Sequence, residues 1–286
     1  MRKQIFILLI AVFGLTFFTQ INAQEYEELA ARPLDNIFEK EHIANKKPIP
    51  YPSLREADIV WSKKVWRIID LREKINLPLY YPTDFSDDRY SLVGLFVHGI
   101  QFYGLPAYST HDDEFKVMMS IDDVQRVMGA TTETQIVVNP DTGEEIEQEV
   151  TRDMRLDEVK QIMVKEIWYF DKTYSRMDVR IMGMCPIRES INEAGEPEKR
   201  QTFWIYFPEA RELLAKHEVF NFTNDAQRRS FDDIFIKRYF GSYITQETNV
   251  YNNRNIESYS MGIDAALESE RIKHSIFQFE HDLWQF

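Results

Sequence analysis

Residues 53–82 read SLREADIVWSKKVWRIIDLREKINLPLYYP, and within them Ala57, Val60, Trp61, Val65, Ile68, Ile69 and Leu71 recur at nearly the 3.6-residue period of a helix. Arg55, Asp58, Lys63, Lys64, Arg67, Arg72 and Glu73 mark the other side. Ser53 and Glu56 have the spacing of a capping box, and Pro78 sets the far limit. The pattern predicts an amphipathic helix. Trp61 and Trp66 would sit about 140° apart on it, so both cannot face one core, and one becomes a candidate anchor for a partner. Trp61, Trp66, Arg67, Asp70 and Arg72 are the candidate partner-contact residues; helix packing and surface charge pairing are their plainer roles.

Further along, YSLVGLFVHGIQFY (90–103) predicts a buried helix ended by Gly104. Ser120 and Asp123 cap a second, short helix that stops before Gly129. Two strand-like runs around NPDTG (139–143) predict a hairpin near 134–150, either a solvated excursion or an interaction finger. Residues 165–170, 177–187 and 201–207 are rich in aromatic and branched side chains and predict an antiparallel meander. Helices follow from Pro208 and from Ser230, and then a strand within 239–247. An apolar stripe of Ile263, Leu267, Ile272, Ile276, Phe279 and Leu283 predicts a long amphipathic helix from Asp264 to Trp284. The expected class is α+β: a central antiparallel sheet packed by helices, with a long C-terminal amphipathic helix, all in one domain spanning 53–286.

The N-terminus has a different character. Arg2 and Lys3, an apolar run over 5–18 and Ile21-Asn22-Ala23 form the pattern of a secretory signal peptide cleaved after Ala23. The run is shorter than the ~18 to 20 residues of a spanning helix, so no membrane span is expected. Residues 24–52 end in KKPIPYP, whose prolines impose an extended arm. Either it is a disordered leader, or it straps a neighbouring subunit.

Without residues 1–23 the chain carries 32 Lys and Arg against 47 Asp and Glu, a net charge of −15. There is no basic tail or stripe, which argues against nucleic acid and against a direct grip on anionic lipid. Cys185 is the only cysteine, so no internal disulfide can form; it reads as a buried thiol, with an intermolecular disulfide as the alternative.

Candidate chemistry is sparse. The six histidines (His42, His98, His111, His217, His274, His281) form no HExxH or cysteine-rich pattern, and His274 with His281 lacks a third placed ligand. His111-Asp112-Asp113-Glu114 lacks the spaced oxygens of a calcium loop and reads as a solvated turn. No GxSxG elbow and no phosphate loop occur. No metal, cofactor or catalytic residue is expected. The aromatic load (Trp61, Trp66, Tyr80, Tyr81, 168–170, 203–207, 239–243 and Trp284) should lie mostly in the core.

Four segments taken in order, READIVWSKKVWRIIDLREKINLPLYYP, YFDKTYSRMDVRIMGMCPI, FIKRYFGSYITQETN and LESERIKHSIFQFEHDLW, resemble the GldN/PorN family of gliding-motility and type IX secretion proteins. The resemblance implies a non-enzymatic structural component at the periplasmic face of the outer membrane. By it, the chain would self-associate in a ring with a GldK/PorK-type outer-membrane lipoprotein and contact the periplasmic part of a GldM/PorM-type motor shaft. The alternative from a different class is a periplasmic glycan- or peptidoglycan-binding module, whose aromatics would stack on sugar faces.

Overall fold

The protein is described from a computed structural model, which covers residues 42–43, 45–84, 89–138, 145–191, 195–222, 224 and 226–283, with backbone only for 131–152. The expected signal peptide, its cleavage after Ala23 and the arm up to residue 41 lie outside the described residues. In chain order the elements are β1 (Ile59–Asp70), α1 (Leu77–Tyr80), α2 (Leu92–Phe102), β2 (Ala107–Tyr108), α3 (Ile121–Val127), β3 (Thr131–Val138) and β4 (Glu145–Arg152). There follow β5 (Val159–Asp171), β6 (Arg176–Ile191), β7 (Pro197–Gln201), β8 (Trp204–Tyr206) and α4 (Phe207–Lys216). The last are β9 (Glu218–Val219), β10 (Arg229–Ser230), α5 (Phe231–Ile236), β11 (Tyr243–Glu247) and α6 (Ile263–Asp282).

The first of these corrects the sequence reading. Residues 59–70 are a strand, not a helix, and Ser53 caps nothing: a single 3-10 turn at Glu56–Asp58 leads into β1 instead. Pro78 opens the short α1 rather than ending a helix. The physical reason is burial on both faces. Val65 to Ile69 is a continuous apolar-plus-Arg run, and such a run fits a central strand as well as a helix; its branched residues favour the strand.

β1 lies between β11 and β5 in a seven-stranded antiparallel sheet of order β11-β1-β5-β6-β8-β2, with β7 also paired to β6. Because alternate residues point to opposite faces, the register Val65↔Glu166, Arg67↔Val164, Ile69↔Ile162 defines one face and Trp66↔Lys165, Ile68↔Met163 the other. On the first face Ile69, Ile162, Val164 and Met184 meet the apolar sides of α2, α4 and α5 in the main core. Beside that core, Val65 and Ile244 pack on Ile272 and Ile276 of α6. Trp66, Tyr108, Cys185 and Trp204 form a smaller core on the second face. The fold is therefore α+β, a central antiparallel sheet packed by helices with a long C-terminal helix.

Local cap chemistry sets the helix starts. Ser91 Oγ accepts the Gly94 amide at 3.1 Å, Ser120 Oγ accepts that of Asp123 at 3.2 Å, and Ser230 with Asp233 closes a full capping box. The hairpin forms as β3 and β4, from Thr131↔Arg152 to Val138↔Glu145, and pairs with no other strand among the described residues. Residues 46–52 form neither helix nor strand and are bound to this chain's own surface. Arg211 Nη2 donates to the Ile49 carbonyl at 2.7 Å, Arg180 Nη2 to that of Pro52 at 2.6 Å, and Lys46 pairs with Asp233.

Candidate functional site

The five candidate contact residues separate by strand parity and by burial. Trp61 is half-buried and stacks on Phe279 of α6, with ring centroids 4.7 Å apart. Trp66 points to the opposite face and is buried, its indole N–H donating to Asp113 Oδ2 at 2.8 Å. The two tryptophans do diverge, but through the period of two of a strand rather than the turn of a helix.

Asp113 belongs to the His111–Glu114 run, which the sequence suggested was a solvated turn. It is instead a tether. Its backbone carbonyl accepts from Lys165 Nζ at 2.6 Å and its carboxylate stands 3.0 Å from the same ammonium. Two residues on, Phe115 sits over Gly183, where a Cβ would come within 2.5 Å of the ring. The buried Lys165 also faces the Trp66 and Phe115 rings at 5.7 and 5.5 Å. The 109–117 loop is thus fastened onto the second face of the sheet.

Arg67 is buried on the first face, beside Glu166, which has no exposed surface. Arg238 clasps that carboxylate with bonds of 2.9 and 3.2 Å, and the Trp168 indole donates to it at 3.1 Å. Arg67 Nε stands 3.3 Å from Glu166 Oε2, close enough for charge attraction but poorly aligned for a hydrogen bond, while its Nη1 donates to Ser242 Oγ at 3.0 Å. Burial lowers the Arg67 pKa, Glu166 opposes the fall and the Arg238 charge adds to it. A guanidinium has enough margin to stay charged. The cluster ties β1, β5 and the segment leading into β11 together, so Arg67 serves the interior.

Asp70 and Arg72 close the end of β1. Arg72 grips Asp70 with Nη2–Oδ2 at 2.6 Å and Nε–Oδ1 at 2.9 Å, and its amide donates to the same carboxylate at 2.9 Å. These bonds hold the Asp70 pKa at about 2. Half of the Arg72 side chain remains exposed and reaches toward Glu189 at 3.5 Å. Trp61, Asp70 and Arg72 therefore keep surface to offer a partner, whereas Trp66 and Arg67 do not.

Cys185 is fully buried, and burial pushes its thiol up to about 12. Among the described residues no three His, Cys, Asp or Glu side chains converge as a metal site, and no helix is long and apolar enough to cross a membrane. What the sequence did not single out is a pair of exposed apolar surfaces. One is a groove floored by Pro78, Phe220 and Phe222, and the other the 249–263 connection carrying Val250 and Met261. Their only sequence signal was a large apolar residue in a loop.

No individually curated protein matches this chain. Residues 54–285 match the family described as gliding motility associated protein GldN, and the chain belongs to that family.

Proposed function

We propose that this gliding-motility protein is a non-enzymatic structural subunit of the type IX secretion and gliding machinery. It works in the periplasm against the outer membrane, where it forms a ring with a GldK/PorK-type lipoprotein and contacts a GldM/PorM-type motor shaft. Family membership across residues 54–285 is the observation that carries this reading. The disposition of the polar groups agrees with it. Glu166, Lys165, Asp113 and the buried Arg211–Asp232 pair at 2.9 Å are all spent on holding elements together. Surface apolar side chains, in contrast, are left uncovered in patches of the kind that mark protein contacts.

Trp61, Asp70 and Arg72 at the ends of β1 are our contact residues, with Trp66 and Arg67 holding the strand behind them. Crosslinking mass spectrometry on intact envelopes tests the reading. Crosslinks from this chain to the lipoprotein and to the shaft are expected; a cytoplasmic location, or crosslinks to neither protein, would sink it.

A further inference from the structure

Two adjoining cavities, of about 440 and 490 Å³, share Lys74, Pro78, Phe220 and Phe222 and form one open groove beside α1. Phe222 is 77 % exposed, an unusual cost for an aromatic ring unless something covers it. Charge in the groove runs against the rest of the molecule. Among the described residues its lining holds three cations, Lys74, Arg89 and Arg229, and no carboxylate, in a chain of net charge −13. Among the described residues none of the three forms an ion pair; Arg89 stacks on Phe220 at 5.1 Å and Arg229 on Tyr239 at 5.5 Å. Two guanidinium groups lying on exposed aromatics, with no ion pair among the described residues, make the surface chemistry of a contact anchor for an apolar segment with an acidic rim.

The same chain carries a segment of that description. The 249–263 connection between β11 and α6 exposes Val250 (90 %), Met261 (83 %) and Ile263 (79 %). It is held in shape from within. The Arg254 guanidinium lies over both Tyr251 and Tyr259, at 4.6 and 4.3 Å, and Asn249 and Asn253 close the turn, the Tyr251 amide donating to Asn249 Oδ1 at 2.9 Å and the Asn249 amide to Asn253 Oδ1 at 3.1 Å. A preformed loop loses little entropy on docking. On its flanks the carboxylates of Glu257 and Asp264 are exposed and, among the described residues, not ion-paired.

We propose that the 249–263 knob of one copy seats in the Phe220/Phe222 groove of the next. Apolar side chains of the knob cover the exposed rings, and Glu257 and Asp264 meet Lys74, Arg89 and Arg229. Knob and groove are different surfaces of one chain, so the contact is head-to-tail and propagates, closing into a ring where the rotation between copies allows and otherwise extending as a filament. A symmetric dimer would leave no free end. This inference rests on the reading of the protein as a self-assembling subunit and adds the two surfaces by which copies meet.

Sedimentation velocity on the full chain, alone and with the GldK/PorK-type lipoprotein, tests it through Phe222→Asp in the groove and Met261→Asp in the knob. Both side chains are exposed, so neither change should disturb folding, which circular dichroism verifies. We expect each variant alone to associate at least tenfold more weakly than the unaltered chain. Their equimolar mixture should form a dimer and nothing larger, because the Phe222→Asp copy still offers its knob and the Met261→Asp copy its groove. A charge arm follows: Lys74→Glu should weaken assembly and Asp264→Lys should restore it. Variants that assemble like the unaltered chain, or a mixture that stays monomeric, overturn the knob-in-groove contact. So does loss of lipoprotein binding by Phe222→Asp with self-association intact, since the groove then belongs to the lipoprotein. If the unaltered chain assembles while the variants do too, only this contact falls; if it never assembles under either condition, the subunit reading falls as well.

Discussion

Glu166→Gln should be among the most damaging single changes to this fold, although it alters the side chain by one atom type. Glu166 has no exposed surface, and around it stand Arg67, 7 % exposed, and Arg238, whose side chain is 26 % exposed. With the carboxylate gone, Arg238 can turn toward water, but Arg67 cannot. Its charge is left buried against an amide, with the Ser242 hydroxyl as hydrogen-bond partner and the more distant Glu270 as the remaining counter-charge. Loss of the nearest counter-charge to a buried ion costs about 3–5 kcal/mol. In a chain of this size each kcal/mol moves the melting temperature by about 2–4 °C, so a fall of about 6–20 °C is expected. Differential scanning calorimetry reads the shift, and urea unfolding gives the free energy. The decisive control is Glu166→Gln with Arg67→Met: removing the stranded charge as well should restore most of the loss, because an apolar replacement of similar bulk needs no partner. A single variant melting within about 2 °C of the unaltered protein, or a double variant no better than the single, would refute the reasoning.

Gly183→Ala places a methyl 2.5 Å from the Phe115 ring and 3.2 Å from the Ile205 carbonyl, so it should cost about 1–3 kcal/mol and loosen the 109–117 loop to limited proteolysis; Phe115→Ala in the same chain should relieve part of the cost. Asp70 titrates at about 2 folded against about 3.9 unfolded, so its contribution is present in full above the unfolded value and fades as pH falls from about 4 to 2. Asp70→Asn should therefore cost about 1 kcal/mol at pH 7, discounted for the exposed Arg72, and progressively less in urea titrations below pH 4. Cys185, with its thiol pushed up to about 12, should resist iodoacetamide in the native protein and react fully in urea; ready labelling of the native form would contradict its burial.

How legible the chain was depended on how local the determining contacts are. Ser91, Ser120 and Ser230 cap helices through bonds three residues away, and those helices could be read from the sequence. The hairpin and the strands of the meander were equally plain, being alternating or aromatic-rich runs between turn residues. β1 was misread because over residues 65–69 burial on both sides erased the alternation that marks a half-exposed strand, leaving a run whose spacing also satisfies a helix. The long-range pairs were invisible for a different reason. Trp66 and Asp113 are 47 residues apart and Glu166 and Arg238 are 72 apart, so no window of sequence contains both partners. Of the candidate contacts, Trp66 and Arg67 were placed in the interior by this same packing, whereas Asp70 and Arg72, two residues apart, pair locally and remain at the surface.

The central claim, that this chain is a structural subunit which assembles with an outer-membrane lipoprotein, meets its most direct test in electron microscopy of the two proteins purified together from the cell envelope. Large closed rings containing both chains are expected. Particles no larger than the separate proteins, with the lipoprotein lost on purification, would contradict it.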